Sequence, residues 1–368
     1  MVDGDVNIPG FFVDWDINIP GFFVDGDINL PGFFVDGDIN LPGFFVDGNI
    51  NLPGFFVDRD VNFPVAKMNN NSVLTIGTFD GLHLGHQKVL KKVVEIAIEE
   101  GLQSVVISYK DHPAFVLKMH PMPKMLCPAE IKQREMKKLG IERIELLDFT
   151  LELAKTPPLK FLKDFIIPRF HPKVIVMGYD SHFGHLRQGN LEFLCRHSEE
   201  LGYRVEYVEP LLFEGEPISS SSIRDLLLSG KIEAANFLLG RPYRLIGNVG
   251  HSNSQGRKLG FPTANLNLLC PHQLVPKSGI YLSKVFLQEN VFFGLTNIGC
   301  SPTVKKTGII EIETHILDFQ GDLYGQSMEL ELLRYLREEK MFKSVDELKE
   351  AIQNDIALAH IMLKEFSQ

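Results

Sequence analysis

His83 and His86 stand three residues apart in Gly77-Thr78-Phe79-Asp80-Gly81-Leu82-His83-Leu84-Gly85-His86, between an apolar run and a helix-like period. Val73-Leu74-Thr75-Ile76 reads as a short buried strand. From Leu84 onward Val89, Leu90, Val93, Val94 and Ala97 recur at helical spacing, and Gly101 stops the pattern. Glycines thus fill the turn from strand to helix, where backbone N–H groups and the helix dipole receive phosphate oxygens. Three apart on a first helical turn, the two imidazoles share a face. Beside an anion cradle they suit a reaction that builds negative charge on phosphorus, to which they donate hydrogen bonds in the transition state. Taken alone, two histidines at a helix start cap or decorate it; the flanking glycines and Phe79-Asp80-Gly81 turn the reading toward chemistry.

This stretch resembles the His-x-Gly-His signature of the nucleotidyltransferase superfamily in its flavin-adenylating form. Gly178-Tyr179-Asp180-Ser181-His182-Phe183-Gly184 is similar to that family's Gly-x-Asp-Phe-x-Phe-Gly, which lines the nucleotide and flavin site; Ser181 stands where an aromatic residue is usual. His182 and His185 by themselves make a poor metal site. Ile218-Ser219-Ser220-Ser221-Ser222-Ile223-Arg224 resembles Ile-Ser-Ser-Thr-x-Ile-Arg and reads as the opening of a helix continuing through Leu228. Its hydroxyls and N-terminal dipole favour phosphate, and Arg224 adds a cation for the departing pyrophosphate.

A second set of residues lies further along. Gly256-Arg257-Lys258-Leu259-Gly260-Phe261-Pro262-Thr263-Ala264-Asn265 resembles the flavokinase Pro-Thr-Ala-Asn motif and the glycine-containing loop before it, with Ser252 and Ser254 in place of frequent glycines. Thr263 and Asn265 alternate on an extended segment and point the same way, and an oxygen from each suits Mg²⁺ and the phosphates of ATP. The chain has no P-loop sequence. Ile310-Glu311-Ile312-Glu313-Thr314-His315-Ile316 matches the flavokinase Glu-x-His strand. On pattern alone Glu311, Glu313 and His315 form one polar face of a half-exposed strand.

Over residues 72–368 the chain resembles the bacterial bifunctional riboflavin kinase/FAD synthetase family. The resemblance implies that the first module adenylates FMN by in-line attack on the α-phosphorus of ATP, and that the second phosphorylates riboflavin. It implies ATP as co-substrate, Mg²⁺ or another divalent cation as cofactor, and His83, His86, Arg224 and Glu313 as catalytic, Glu313 deprotonating the 5′-hydroxyl of riboflavin. Gly77, Phe79, Asp80, Asp180, Ser220, Ser221, Gly256, Arg257 and Arg337 are implied in nucleotide or flavin binding, and Thr263 and Asn265 in metal binding. Two other readings stay open: an enzyme with one active module, and a flavin- or nucleotide-binding regulator without turnover.

The elements that must position these residues differ in texture. Strand-like segments Val73–Ile76, Ser104–Tyr109, Ile144–Leu147, Lys173–Met177 and Tyr203–Val208 alternate with helical runs such as Pro128–Leu139 and Leu191–Leu201. That order predicts an α/β domain over 68–240, a Rossmann-like parallel sheet with covering helices. Over 241–368 the extended segments Arg244–Val249, Ile280–Phe286, Val291–Ile298, Ile309–Leu317 and Ser327–Tyr335 predict a small antiparallel β-barrel, closed by an amphipathic C-terminal helix over Val345–Phe366.

Residues 1–67 are an eleven-residue repeat, Val-Asp-Gly-Asp-Ile-Asn-Leu-Pro-Gly-Phe-Phe, with Val24–Phe34 and Val35–Phe45 identical. The tract reads as poorly ordered and dispensable to the enzyme, with Met68 as an alternative start. It carries −9 of the net charge of −10, so the rest is near neutral and gives no bulk electrostatic case for a nucleic-acid partner. No apolar run reaches membrane-span length. Cys127, Cys195, Cys270 and Cys300 are scattered, as reduced thiols of a cytoplasmic protein are. The expected state is a monomer or a weak homo-oligomer with small-molecule substrates.

Overall fold

Apolar runs bounded by glycine and polar turns build a five-stranded sheet between residues 72 and 208. The computed structural model describes residues 71–118, 120–250, 260–300 and 310–366, and in the repeat tract only short strands within 2–57. Two compact units divide the chain, Met1–Asn69 and Asn70–Gln368.

In the first unit, where poor order is expected, the described strands pair in parallel at an offset of two repeats: Val24 with Val2, Phe34 with Phe12 and with Phe56, Ile39 with Ile17. An eleven-residue period brings like residues back into register at every second copy.

In the second unit, β1 (Ser72–Ile76), β2 (Gln103–Tyr109), β3 (Arg143–Leu147), β4 (Pro172–Gly178) and β5 (Arg204–Val208) form an all-parallel sheet in the order β3-β2-β1-β4-β5. Every residue of β1 is buried, as expected of a central strand covered on both faces. Helix α1 (Leu84–Glu100) buries Val89, Leu90, Val93, Ile96 and Ala97 and ends at Gly101, whose φ of 62° needs no Cβ accommodation. The chain winds from β1 through β2 to β3, then returns to β4 on the other side of β1. The order reverses between β1 and β4, which places the ligand crevice beyond their C-terminal ends.

Six strands close the barrel in the order β6-β7-β10-β9-β8-β11: β6 (Tyr243–Gly250), β7 (Ala264–Leu268), β8 (Gly279–Leu287), β9 (Asn290–Cys300), β10 (Ile310–Ile316) and β11 (Ser327–Arg337). Five match the extended segments expected from sequence. The sixth, β7, is the short strand that follows Thr263 and carries Asn265. The C-terminal helix α6 (Val345–Phe366) lies on the barrel's outer face, packing Ile356, Ala359 and Leu363 against Leu282 and Leu295.

The boundary expected near residue 240 runs through a shared core. Helices α4 (Ser220–Leu228) and α5 (Ile232–Leu239) contribute Ile223, Leu227, Ile232 and Leu239 to the apolar cluster that contains Tyr243, Tyr281, Ile298 and Leu330 of the barrel. Polar contacts add to it. Arg134, on α2 (the helix over Ala129–Lys138), makes a bidentate pair with Glu329 of β11 at 2.7 and 2.8 Å. The backbone of Met125 pairs with His272 and Leu274.

Candidate functional sites

The first site is built where β1 ends. Gly77 N–H donates to Ile107 O at 3.0 Å, continuing the ladder to β2, and the chain then turns through Phe79 and Gly81, both at positive φ. Gly81 has a φ of 83°, which favours glycine, and a Cβ there would also press on the Leu126 side chain at 2.9 Å. His83 is the N-cap of α1, and its Nδ1 accepts from the His86 N–H at 3.3 Å. That bond leaves the ring proton on Nε2, as a donor. The His83 and His86 rings stack with centroids 3.6 Å apart and planes 20° apart, and the Phe79 ring meets His86 edge-on. A Cβ on Gly85 would press on the His83 ring at 3.2 Å, so this glycine holds room for the stack.

Burial sets the charge state of the pair. It lowers His83 from its ordinary value to about 4, and it lowers His86 as well, with the neighbouring His83 and Lys132 adding to the effect. Both rings are therefore neutral near pH 7. Because the folded value for His83 is depressed, stability from this group is complete above about pH 6.5 and is lost as pH falls toward 4, on the order of 3 kcal/mol in all. Urea unfolding between pH 7 and 4.5 is expected to show a fall that a His83→Asn chain, which keeps an N-cap acceptor, shows less. Equal slopes would remove His83 from this linkage.

Arg224 and Asp80 meet as a buried ion pair. The Asp80 carboxylate also accepts from the N–H groups of Leu126 and Cys127, Arg224 Nε donates to Lys124 O at 2.7 Å, and Ser220 Oγ donates to Asp80 O at 2.8 Å. The serine run forms the expected helix start: Ser219 is the N-cap of α4 in a reciprocal capping box with Ser222, and Ser221 is exposed. Asp80, Ser220 and Arg224 are thus joined across the crevice and clamp the glycine turn to α4. Asp180 is exposed just beyond the end of β4, on the neighbouring side of the crevice, while Phe183 of the same block is buried in the core.

Lys132, which sequence reading passes over, belongs to this site. Its ammonium is fully buried and donates to Thr78 O at 3.0 Å, Tyr109 O at 2.8 Å and Ser108 Oγ at 3.4 Å, tying the ends of β1 and β2 together. Burial pulls its value down. Lys132 and Arg224 against Asp80 leave the floor of the crevice with an excess of positive charge, suited to phosphate.

The second site lies on the barrel. Asn265 of β7 is the register partner of Glu313 of β10, and the Thr263 side chain hydrogen-bonds the Glu313 carboxyl. Burial, then the charge of Glu311, raises Glu313 above the usual carboxylate range, with the Thr263 bond opposing. Beside Thr263 a cleft of about 470 Å³ opens, with Gly250, Phe319 and Tyr324 on its walls, a size that accommodates a nucleotide. Gly256 and Arg257, with Ser252 and Ser254, lie outside the described residues. The Arg337 guanidinium makes a bidentate pair with Asp355 of α6 at 2.9 and 2.6 Å and so tethers that helix.

A parallel-sheet module with a phosphate crevice, fused to a six-stranded barrel with a polar triad on its wall, defines a two-site phosphoryl- and nucleotidyl-transferring class. The family described as FAD synthetase matches residues 65–222, and that described as riboflavin kinase matches residues 239–363. The bifunctional riboflavin kinase/FMN adenylyltransferase of Listeria monocytogenes is 34% identical over 286 residues, covering 77% of this chain and 90% of that one. Its Bacillus subtilis counterpart is 35% identical over 289 residues, with the same coverage. The crystal structure of a macrolide-efflux protein from Streptococcus pneumoniae is similar with a TM-score of 0.72 and 31% identity, over 79% of this chain and 94% of that one. Among the described residues no helix is long and apolar enough to cross a membrane. The chain belongs to the bifunctional riboflavin kinase/FMN adenylyltransferase family.

Proposed function

We propose that this chain makes both flavin cofactors: riboflavin and ATP give FMN and ADP at the barrel, and FMN and ATP give FAD and pyrophosphate at the parallel-sheet crevice. The observation that carries the reading is the presence in one chain of both assemblies, the stacked His83–His86 pair at the head of α1 and the Thr263–Asn265–Glu313 group on adjoining strands.

At the barrel, Glu313 takes the proton of the ribityl 5′-hydroxyl as that oxygen bonds to the γ-phosphorus and the bond to the β,γ-bridging oxygen breaks, releasing ADP. A carboxylate raised by burial is a stronger base than a solvated one. Thr263 and Asn265 offer a hydroxyl and an amide oxygen, donors of the kind that a hard cation such as Mg²⁺ takes, and leave the Glu313 carboxylate free as the base. Bound there, the cation supplies charge neutralisation on the ATP phosphates. At the crevice, an FMN phosphate oxygen bonds to the α-phosphorus and pyrophosphate leaves. The neutral imidazoles donate to the oxygens where charge grows, and the Asp80–Arg224 clamp holds the turn that presents them.

A monomer or weak homo-oligomer in the cytoplasm fits this reading, the location supported by free thiols at Cys127, Cys195 and Cys270. Incubating the full chain with riboflavin, ATP and Mg²⁺ and separating the flavins is expected to give FMN, then FAD. FMN alone leaves the adenylylating crevice inactive. Tight flavin binding with neither product replaces the enzyme reading with that of a regulator.

A further inference from the structure

Asn265, Glu313 and Asn297 occupy successive register positions on three adjoining strands, β7, β10 and β9. Ile312, Thr314 and Ile316 of β10 are buried toward the barrel interior, so Glu313 and its two partners face outward together. The amide oxygen of Asn297 is shut off from solvent and has no hydrogen-bond partner among the described residues. A buried acceptor left open in a folded protein calls for an explanation, and beside the base of the kinase reaction the explanation is a donor that arrives with the substrate. The next register partner of Asn297 is Ile280, an apolar residue packed toward α6. Around the barrel the order is therefore Thr263 and Asn265, then the base, then an unfilled acceptor, then an apolar surface. Phosphates, a reacting hydroxyl, a polyol and an aromatic ring follow one another in that order when ATP and riboflavin meet.

We infer that Asn297 determines specificity for the ribityl chain: its amide oxygen accepts a hydrogen bond from the 4′-hydroxyl and so holds the neighbouring 5′-oxygen over Glu313. The inference rests on the kinase reading of this site. A site built around a substrate hydroxyl discriminates against the analogue that lacks it, because its own polar group is then left unpaired.

The test compares riboflavin with 4′-deoxyriboflavin as phosphate acceptors, on the full chain and on an Asn297→Leu chain. The unaltered protein is expected to use the deoxy compound about 10–100-fold less efficiently in kcat/KM, the range that an unpaired buried acceptor produces. Asn297→Leu is expected to lose about that factor on riboflavin while its kcat/KM for the deoxy compound stays within about twofold, so the preference collapses. Equal losses on both substrates would make Asn297 a structural residue and overturn the inference. So would an unaltered protein that uses both flavins equally, a result that needs no variant to fold. Conversion of FMN to FAD by the same Asn297→Leu preparation checks its folding. If the unaltered chain phosphorylates neither flavin, it is the kinase reading that fails.

Discussion

A Glu313→Gln chain is expected to lose FMN formation by about 10²–10⁴-fold, the range that a general base contributes, while its conversion of added FMN to FAD stays unchanged. The substitution is nearly isosteric and keeps an oxygen toward Thr263 and Asn265, so the barrel and any cation held there lose little. What disappears is the capacity to take the 5′-hydroxyl proton. The pH profile gives a second check. Burial and Glu311 raise the Glu313 value above the usual glutamate range, so the working carboxylate is lost as pH falls. Riboflavin kcat/KM in the unaltered chain therefore declines toward acid from a higher pH than a solvated glutamate gives, and the residual rate of the variant does not follow it. Chromatography of flavins from one preparation reads both activities. Loss of both would sink the assignment of two separate sites, and normal FMN formation would remove Glu313 as the base.

How far the sequence reveals this arrangement depends on how local each interaction is. The five parallel strands and α1 follow from short apolar runs ended by glycine or a charged residue, and the pair His83 and His86 is a first-turn feature, so both are legible in a single stretch. Ser219 as N-cap of α4 is equally local. Arg224 reads as a cation for pyrophosphate, but its partner Asp80, 144 positions away, is not legible beside it. In the fold that carboxylate fixes the cation in place, and the pair also clamps the turn. Lys132 sits in Ala129-Glu130-Ile131-Lys132-Gln133-Arg134-Glu135, where charge alternates as on any solvated helix. Only the packing of α2 against the ends of β1 and β2 shows that this lysine points inward. Arg337 reads as a flavin contact, and the ion pair that α6 gives it through Asp355 is not legible in its own stretch. The core shared across residue 240 is hidden for another reason. Ile232, Ala235 and Leu239 make an ordinary amphipathic pattern that fits a helix of either module, and periodicity gives a helix its apolar face without saying what covers it. The repeat tract is the opposite case, its period being obvious while the two-repeat offset of its strand pairs is a property of stacking.

Replacing His86 by Ala is expected to lower FMN adenylylation by about 10²–10³-fold, the usual result of removing one donor from a preorganised oxyanion site, and to let FMN accumulate from riboflavin at the normal rate. The geometry explains why the loss is large. His86 is held between the His83 ring and the edge of Phe79, and its Nδ1 is buried without a partner among the described residues, so it waits on substrate rather than serving the fold's hydrogen bonding. Removing the ring also unstacks His83, whose Nε2–H is the other donor, so His86→Ala and His83→Ala are expected to cost far less in combination than the product of their separate effects. The charge state supplies a sign. With His83 lowered to about 4 and His86 also lowered, the donors are neutral imidazoles across pH 6 to 8, and adenylylation attributable to them is flat over that window. An adenylylation rate that rose toward acid with a midpoint near 6.5 would mean that an imidazolium is the working form, which two rings stacked at 3.6 Å resist through mutual repulsion. Unchanged FAD synthesis in His86→Ala would take His86 out of the mechanism and leave the buried charges of Lys132 and Arg224 to stabilise the transition state alone.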